Sequence, residues 1–344
     1  MNKQIAIGLV LVLITSILLA GCKQATVSKT IDCSSTEVLC VGLVTSLGGI
    51  SDQSYNQLAW EGMLKSQTEQ VVDKVHYIET IDAKDYASNI NTLADTGYDI
   101  IVTIGAQYSE STISAAQRYP DILFVGVELD QTEGLPNLVS LAFHPDQAGF
   151  QAGALAALLS RSKTIAIVLG PESEPGVKVL KEGFEAGVQY INPLIKIITI
   201  NYPDSSGMAL TDPRWAAGVA AQSIQEGADI VFDAGGLTGN GALVEAASHP
   251  GLYCIGVDGD LWENLPEARP CLVSSTVNNI TQGVFDIIKL ARDGAFPSGN
   301  FFGDSGLASY HDFDTLIPQA IKDEMDRITA DLVSGSISSG TKSP

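Results

Sequence analysis

Asp99-Ile100-Ile101-Val102-Thr103-Ile104-Gly105-Ala106-Gln107 is an almost wholly apolar, β-branched run that stops at a glycine, and a helical pattern over Glu110–Arg118 follows it. A run this apolar reads as a strand covered on both faces, the condition of a parallel sheet. Similar runs recur at Leu39–Thr45, Lys74–Thr80, Ile122–Val127, Leu138–Phe143, Lys163–Leu169, Ile195–Asn201, Asp229–Ala234, Leu252–Val257 and Cys271–Val277. Helical patterns alternate with them at Gln53–Glu69, Ala83–Thr96, Asp146–Ser160, Gly176–Tyr190, Asp212–Glu226, Asn240–Ala247, Asn279–Arg292 and Leu316–Val333. Repeated βα units imply open parallel sheets. The rhythm is similar before and after about residue 144, so the expected class is α/β with two doubly wound parallel-sheet domains. Ligands of such sheets sit outside the carboxyl ends of the strands, and domain interfaces favour them.

The N-terminus adds a compartment. Lys3 precedes an apolar run from Ile5 to Leu19, broken only by Gly8, Thr15 and Ser16. It is short for a membrane span and suits a signal-peptide core. Leu19-Ala20-Gly21-Cys22 then resembles a bacterial lipobox, in which the cysteine carries lipid. Residues 1–22 read as a lipoprotein signal peptide ending at Cys22, residues 23–38 as a tether, and the Ser/Gly-rich 334–344 as a disordered tail. The expected location is the extracytoplasmic face of the cell membrane, with the lipid as anchor.

The formal charge of −21 excludes a nucleic-acid partner, whose phosphates need a basic surface. Four cysteines besides Cys22 allow disulfides in an exported chain. Cys254–Cys271, on strands able to be neighbours, and Cys33–Cys40, beside the tether, are the favoured pairs, and reduced thiols are the alternative. His76, His144, His249 and His311 are scattered without metal-ligand spacing, and no Cys-x-x-Cys occurs, so neither a metal nor a cofactor is expected. Gly303-Asp304-Ser305-Gly306 lacks partners for nucleophilic catalysis. The chain is therefore read as no enzyme.

Five segments carry a family likeness: Ser51 through Gly62, Asn137 through Phe143, Gln151 through Ala156, Gly183-Phe184-Glu185-Ala186-Gly187 with Ile191-Asn192-Pro193, and Gly235 through Gly241 with Gly256-Val257-Asp258. Over about residues 40 to 330 the chain resembles the basic membrane protein family, the PnrA-like nucleoside-binding lipoproteins with the type I periplasmic-binding-protein fold. The resemblance implies crossovers near Phe143, Val277 and Asn300, a three-segment hinge. One lobe would hold 39–143 plus 278–300 and the other 144–277 plus 301–333. It also implies a monomer that captures a purine nucleoside and presents it to ABC permease and ATPase subunits. A sensor lipoprotein of the same fold, or an exported nucleoside or sugar hydrolase, are the alternatives.

Each candidate ligand residue has two readings. Trp60 stacks on a base, as an aromatic near this place does in the family, or is half-buried core. Asp52 accepts from a base or caps its helix. Glu110 falls where relatives tend to carry Asp, and it also complements a helix dipole; Gln107 and Tyr108 are alternates beside it. Asp258 ends a strand where the family has its ribose carboxylate, or it is a turn residue. Gly235 and Gly236 let backbone approach a neutral ligand, or they serve turn chemistry. Asn278 stands where relatives usually place Lys, which removes a cation beside the sugar. The loop 202–211 offers no Phe or Trp for a second face of the base, and Met208 or Leu210 are its substitutes.

Overall fold

The computed structural model describes residues 31–47, 49–51, 55–129, 134–172, 175–203, 212–257 and 259–340. Cys22, Asp52, Met208, Leu210 and Asp258 lie outside them, as does residue 48.

Twelve strands are present among the described residues: β1 Cys40–Val44, β2 Lys74–Ile78, β3 Ile100–Ile104, β4 Leu123–Val127, β5 Leu138–Ala142, β6 Thr164–Leu169, β7 Lys196–Asn201, β8 Ile230–Ala234, β9 Tyr253–Gly256, β10 Leu272–Asn278, β11 Gly299–Phe302 and β12 Ser305–Leu307. Helices α1 Tyr55–Thr68, α2 Tyr86–Asp95, α3 Ser109–Arg118, α4 Pro145–Leu159, α5 Pro175–Ile191, α6 Pro213–Gln225, α7 Leu237–Ala247, α8 Leu261–Asn264, α9 Ile280–Arg292 and α10 Gln319–Val333 alternate with them. The strands form two six-stranded sheets, ordered β11-β5-β4-β3-β1-β2 and β12-β10-β9-β8-β6-β7. Every pairing is parallel except β10 with β12. The expected α/β class with two doubly wound sheets is what the chain adopts.

Why these runs became strands shows in their burial. β1, β3 and β8 are buried at all five positions. In the first sheet, Val41, Leu43, Ile100, Val102 and Val125 pack under α1 and α9, while Val44, Ile101 and Phe124 pack under α2 and α3. The second sheet repeats the pattern, with α4, α5 and α10 on one face and α6 and α7 on the other. β11 and β12 were not expected. They are short, half-buried and at sheet edges, so their sequence carries no apolar run.

Two of the family segments are packing devices. Helix α4 is buried almost all round. An added Cβ at Gly149 or Gly153 would lie 2.2 or 2.0 Å from the carbonyl oxygen of Leu180 or Phe184. At Gly183 or Gly187 it would lie 2.1 or 2.0 Å from that of Asp146 or Phe150. The paired Gly-x-x-x-Gly spacings thus let α4 and α5 touch backbone to backbone, as small residues four apart allow. Asn137 is the second device: buried at the head of β5, its amide nitrogen lies 2.9, 3.2 and 3.0 Å from the carbonyls of Ala116, Tyr119 and Ile122.

Three expectations need correcting. The tether was read as 23–38, but Cys33 is buried and bonded to Cys40, with Cα atoms 5.7 Å apart, and the compact body begins there. The tail was read as disordered over 334–344, but Ser339 is buried and its hydroxyl donates to Asp146, while Ile337 packs on the second core. An apolar residue and a satisfied hydroxyl fix a Ser/Gly-rich segment that composition alone leaves loose. Finally, β11 runs to Phe302, so the first sheet keeps its chain two residues beyond the expected 300. Cys254, within β9, and Cys271, which directly precedes β10, are also bonded, with Cα atoms 5.1 Å apart.

Candidate functional site

The chain passes between the sheets three times: from β5 into α4, from β10 into α9, and from β11 into β12. These passages share a hydrogen-bonded chain. The backbone N–H of His144 donates to Ser305 Oγ (3.3 Å), that hydroxyl donates to Asn278 Oδ1 (3.0 Å), and Asn278 Nδ2 donates to Glu128 Oε1 (3.4 Å). His144 also stacks on Phe302, their ring centroids 4.3 Å apart. Each of the three passages therefore contributes a side chain or backbone group to one polar cluster.

Beside this cluster lies a cavity of about 1000 Å³. Tyr55 and Leu58 of α1 border it from the first sheet; Gly259, Asp260, Tyr310 and Thr329 border it from the second; Asn278 and Ser305 form its floor along the passages. The mix is mostly uncharged hydrogen-bonding groups with apolar and aromatic surface, the usual lining for a small organic ligand. Burial, with the carboxylates of Asp326 and Asp314 nearby, pushes the Tyr310 phenol up, so it stays a neutral donor. No group of three or more potential metal ligands occurs among the described residues.

The structure sorts the expected ligand residues. Asn278 lines the cavity, with its amide already engaged by Glu128 and Ser305. Asp52 and Asp258 lie outside the described residues, although their described neighbours Tyr55 and Gly259 both border the cavity. Gln107 and Glu110 are exposed beyond the carboxyl end of β3. Gly105, with φ 97°, turns the chain there, and Glu110 falls in the first turn of α3. Beneath them, buried Tyr86 and Tyr108 stack with centroids 3.8 Å apart, and burial pushes the Tyr86 phenol well above its usual range.

Trp60 is half-buried against Tyr77 of β2, with centroids 5.1 Å apart and the rings edge to face, and it does not line the cavity. Helix α1 starts at the carboxyl end of β1 and runs back along the sheet. Five residues of helix carry Trp60 about 7 Å from the strand ends. It packs as a partly buried side chain against the first core.

Gly235 and Gly236 do follow β8 at its carboxyl end, and Gly236 takes φ 58° to open α7. The rest of the glycine run serves the protein itself. A Cβ at Gly239 would lie 1.5 Å from the carboxylate of Asp233, and one at Gly241 would lie 1.9 Å from the Pro213 carbonyl. The N–H of Gly235 donates to Asp233 Oδ1 (2.8 Å), so this buried carboxylate shapes the loop.

Reading the sequence alone missed Glu128 and the pair Asp260–His311. Glu128 directly follows β4, so the rule that singled out Asp258, a carboxylate at a strand's carboxyl end, applied to it equally. Its φ of 52°, left-handed and rare for a non-glycine residue, leaves no trace in the sequence.

Comparison with known proteins gives a consistent result. Residues 40–303 match the model of the Bmp family, described as "ABC transporter substrate-binding protein PnrA-like". The chain is 27% identical over 99% of its length to the "ABC transporter nucleoside-binding protein BmpA" of Lactococcus lactis subsp. cremoris, covering all of that protein. It is 31% identical to "Basic membrane protein A" of Borreliella burgdorferi, covering 73% of this chain and 71% of that one. Among solved structures, an ABC transporter solute-binding protein from Conexibacter woesei superposes with a TM-score of 0.71 at 19% identity, over 87% of this chain and 98% of that one.

Proposed function

This chain is a member of the PnrA-like Bmp family of ABC transporter substrate-binding proteins, and from that premise we propose that it captures a purine nucleoside between its two sheets and delivers it to an ABC permease. The observation that carries this reading is the cavity at the three passages, bordered from both sheets and lined mostly by uncharged hydrogen-bonding and apolar groups, with the carboxylates of Asp260, Asp304 and Asp326 as acceptors. A nucleoside is uncharged, offers hydroxyls and ring nitrogens, and fits such a lining. The L. lactis relative is named for binding nucleosides. In this reading Asp258 accepts from the ribose hydroxyls, through charge-assisted bonds of about 1.5–3 kcal/mol each. Asp52 accepts from the base, and Gly235 and Gly236 admit the ligand close to the backbone. Gln107 and Glu110, exposed beyond the carboxyl end of β3, reach the ligand when the two sheets close on it. The protein works as a monomer, held at the extracytoplasmic face by lipid on Cys22, and binds its ligand without converting it.

A ligand that binds only the folded state raises its stability, by about 2.7 kcal/mol at a hundredfold excess over Kd. Guanosine, inosine or adenosine should therefore raise the melting temperature of residues 24–344. Asp258→Ala should abolish the rise. A shift that survives the substitution would remove Asp258 from the site. A response to free sugars alone would reject nucleosides as ligands, and release of free base during incubation would make the protein a hydrolase.

A further inference from the structure

We infer that His311 is the positioning residue of the ligand loop between β9 and α8, which it holds through Asp260. The inference rests on the reading that this loop, through Asp258, contacts the ligand. Gly259 and Asp260 border the cavity, so the loop faces it directly.

Three contacts fix the loop just after residue 258. The N–H of Gly259 donates to the Thr276 carbonyl (3.3 Å), and that of Leu261 donates to Ser275 Oγ (3.2 Å). Both partners lie on β10, the adjacent strand. The third contact comes from elsewhere. His311, in the segment after β12, places Nε2 at 2.7 Å from Asp260 Oδ2. The other carboxylate oxygen of Asp260 accepts from the Trp262 N–H (3.1 Å), the local cap of α8. Asp260 is thus held on one side by its own helix and on the other by His311.

The imidazole is itself held from several directions. It stacks on the Trp262 indole at a centroid distance of 4.8 Å and an interplanar angle of 9°. The Arg269 guanidinium lies 5.2 Å from the same indole, and its Nε donates to the Trp262 carbonyl (2.8 Å). Ser309 Oγ is 3.3 Å from His311 Nε2. The His311 backbone adopts φ 44°, a left-handed conformation that is unfavourable for a non-glycine residue and persists where its surroundings require it. A flat ring with one polar edge meets both demands of the place: it stacks on the indole and it reaches the carboxylate.

The test uses the full-length chain in detergent with inosine as the probe. His311→Ala should raise the inosine Kd about tenfold, Asp260→Ala should do the same, and the double variant should be no weaker than either alone, as expected of residues acting through one contact. His311→Gln keeps a donor on a planar group and should restore Kd to within about threefold of the parent. An unchanged Kd in His311→Ala, a glutamine variant as weak as the alanine one, or additive losses in the double variant would each overturn the assignment. Hydrogen exchange of the 259–261 amides without ligand decides independently. It should quicken about tenfold in His311→Ala, and unaltered exchange refutes the contact's role. If the parent binds no nucleoside, the ligand reading fails while the exchange result still judges His311.

Discussion

Gly153→Ala is expected to destabilise the protein by about 3 kcal/mol or more, the upper range for overpacking a tight interior. The new methyl carbon would sit 2.0 Å from the Phe184 carbonyl oxygen, a backbone atom that cannot rotate away. The helices are equally close one turn away, where a Cβ added at Gly187 would lie 2.0 Å from the Phe150 carbonyl oxygen, so they have no room to tilt apart. Gly218→Ala supplies the opposite case. Gly218 lies inside α6 with nothing within 4 Å of an added Cβ. Alanine there should stabilise by about 0.5–1 kcal/mol through helix propensity. Urea midpoints of the two variants should therefore move in opposite directions. A Gly153→Ala protein as stable as its parent would mean that α4 and α5 do not meet backbone to backbone.

Removal of the Cys254–Cys271 bond by paired alanine substitutions should cost about 3 kcal/mol, on the chain-entropy account for its span. The bond closes a sequence separation of 17 residues, against 7 for Cys33–Cys40, whose loss should cost about 2 kcal/mol on the same account. The longer loop contains the β9–α8 turn and α8, so its release should also weaken inosine binding, whereas loss of the shorter bond should leave binding alone. Denaturant melts of the two double variants, read beside their inosine affinities, check both points. Equal binding losses would disconnect the Cys254–Cys271 loop from the ligand.

The two-sheet fold was legible because its interior strands are buried on both faces and their sequence is almost purely apolar. All ten expected strands are present, shifted by no more than two residues at an end. The edge strands β11 and β12 escaped because a half-buried strand of three or four residues with Gly and Ser has no period to detect. Helix α7 starts at Leu237 rather than Asn240 because glycines at 239 and 241, which argue against helix by propensity, are required by the Asp233 carboxylate and the Pro213 carbonyl. The site was less legible. An aromatic on an amphipathic helix reads alike whether it faces a ligand or a neighbouring strand, and only the register of α1 against β2 decides that Trp60 meets Tyr77. Contacts such as Asp260–His311 and Glu128–Asn278 join residues 51 and 150 positions apart, and no local pattern announces them.

The Cys33–Cys40 bond has a mechanical consequence. Cys40 is the first residue of β1, and β1 lies inside its sheet, hydrogen-bonded to β2 on one side and β3 on the other. Tension applied to the chain before residue 33 therefore bypasses residues 34–39 and enters a strand clamped along both edges. Load along that strand shears two ladders at once instead of peeling one end loose, so the first sheet would resist a pull on the chain that precedes it.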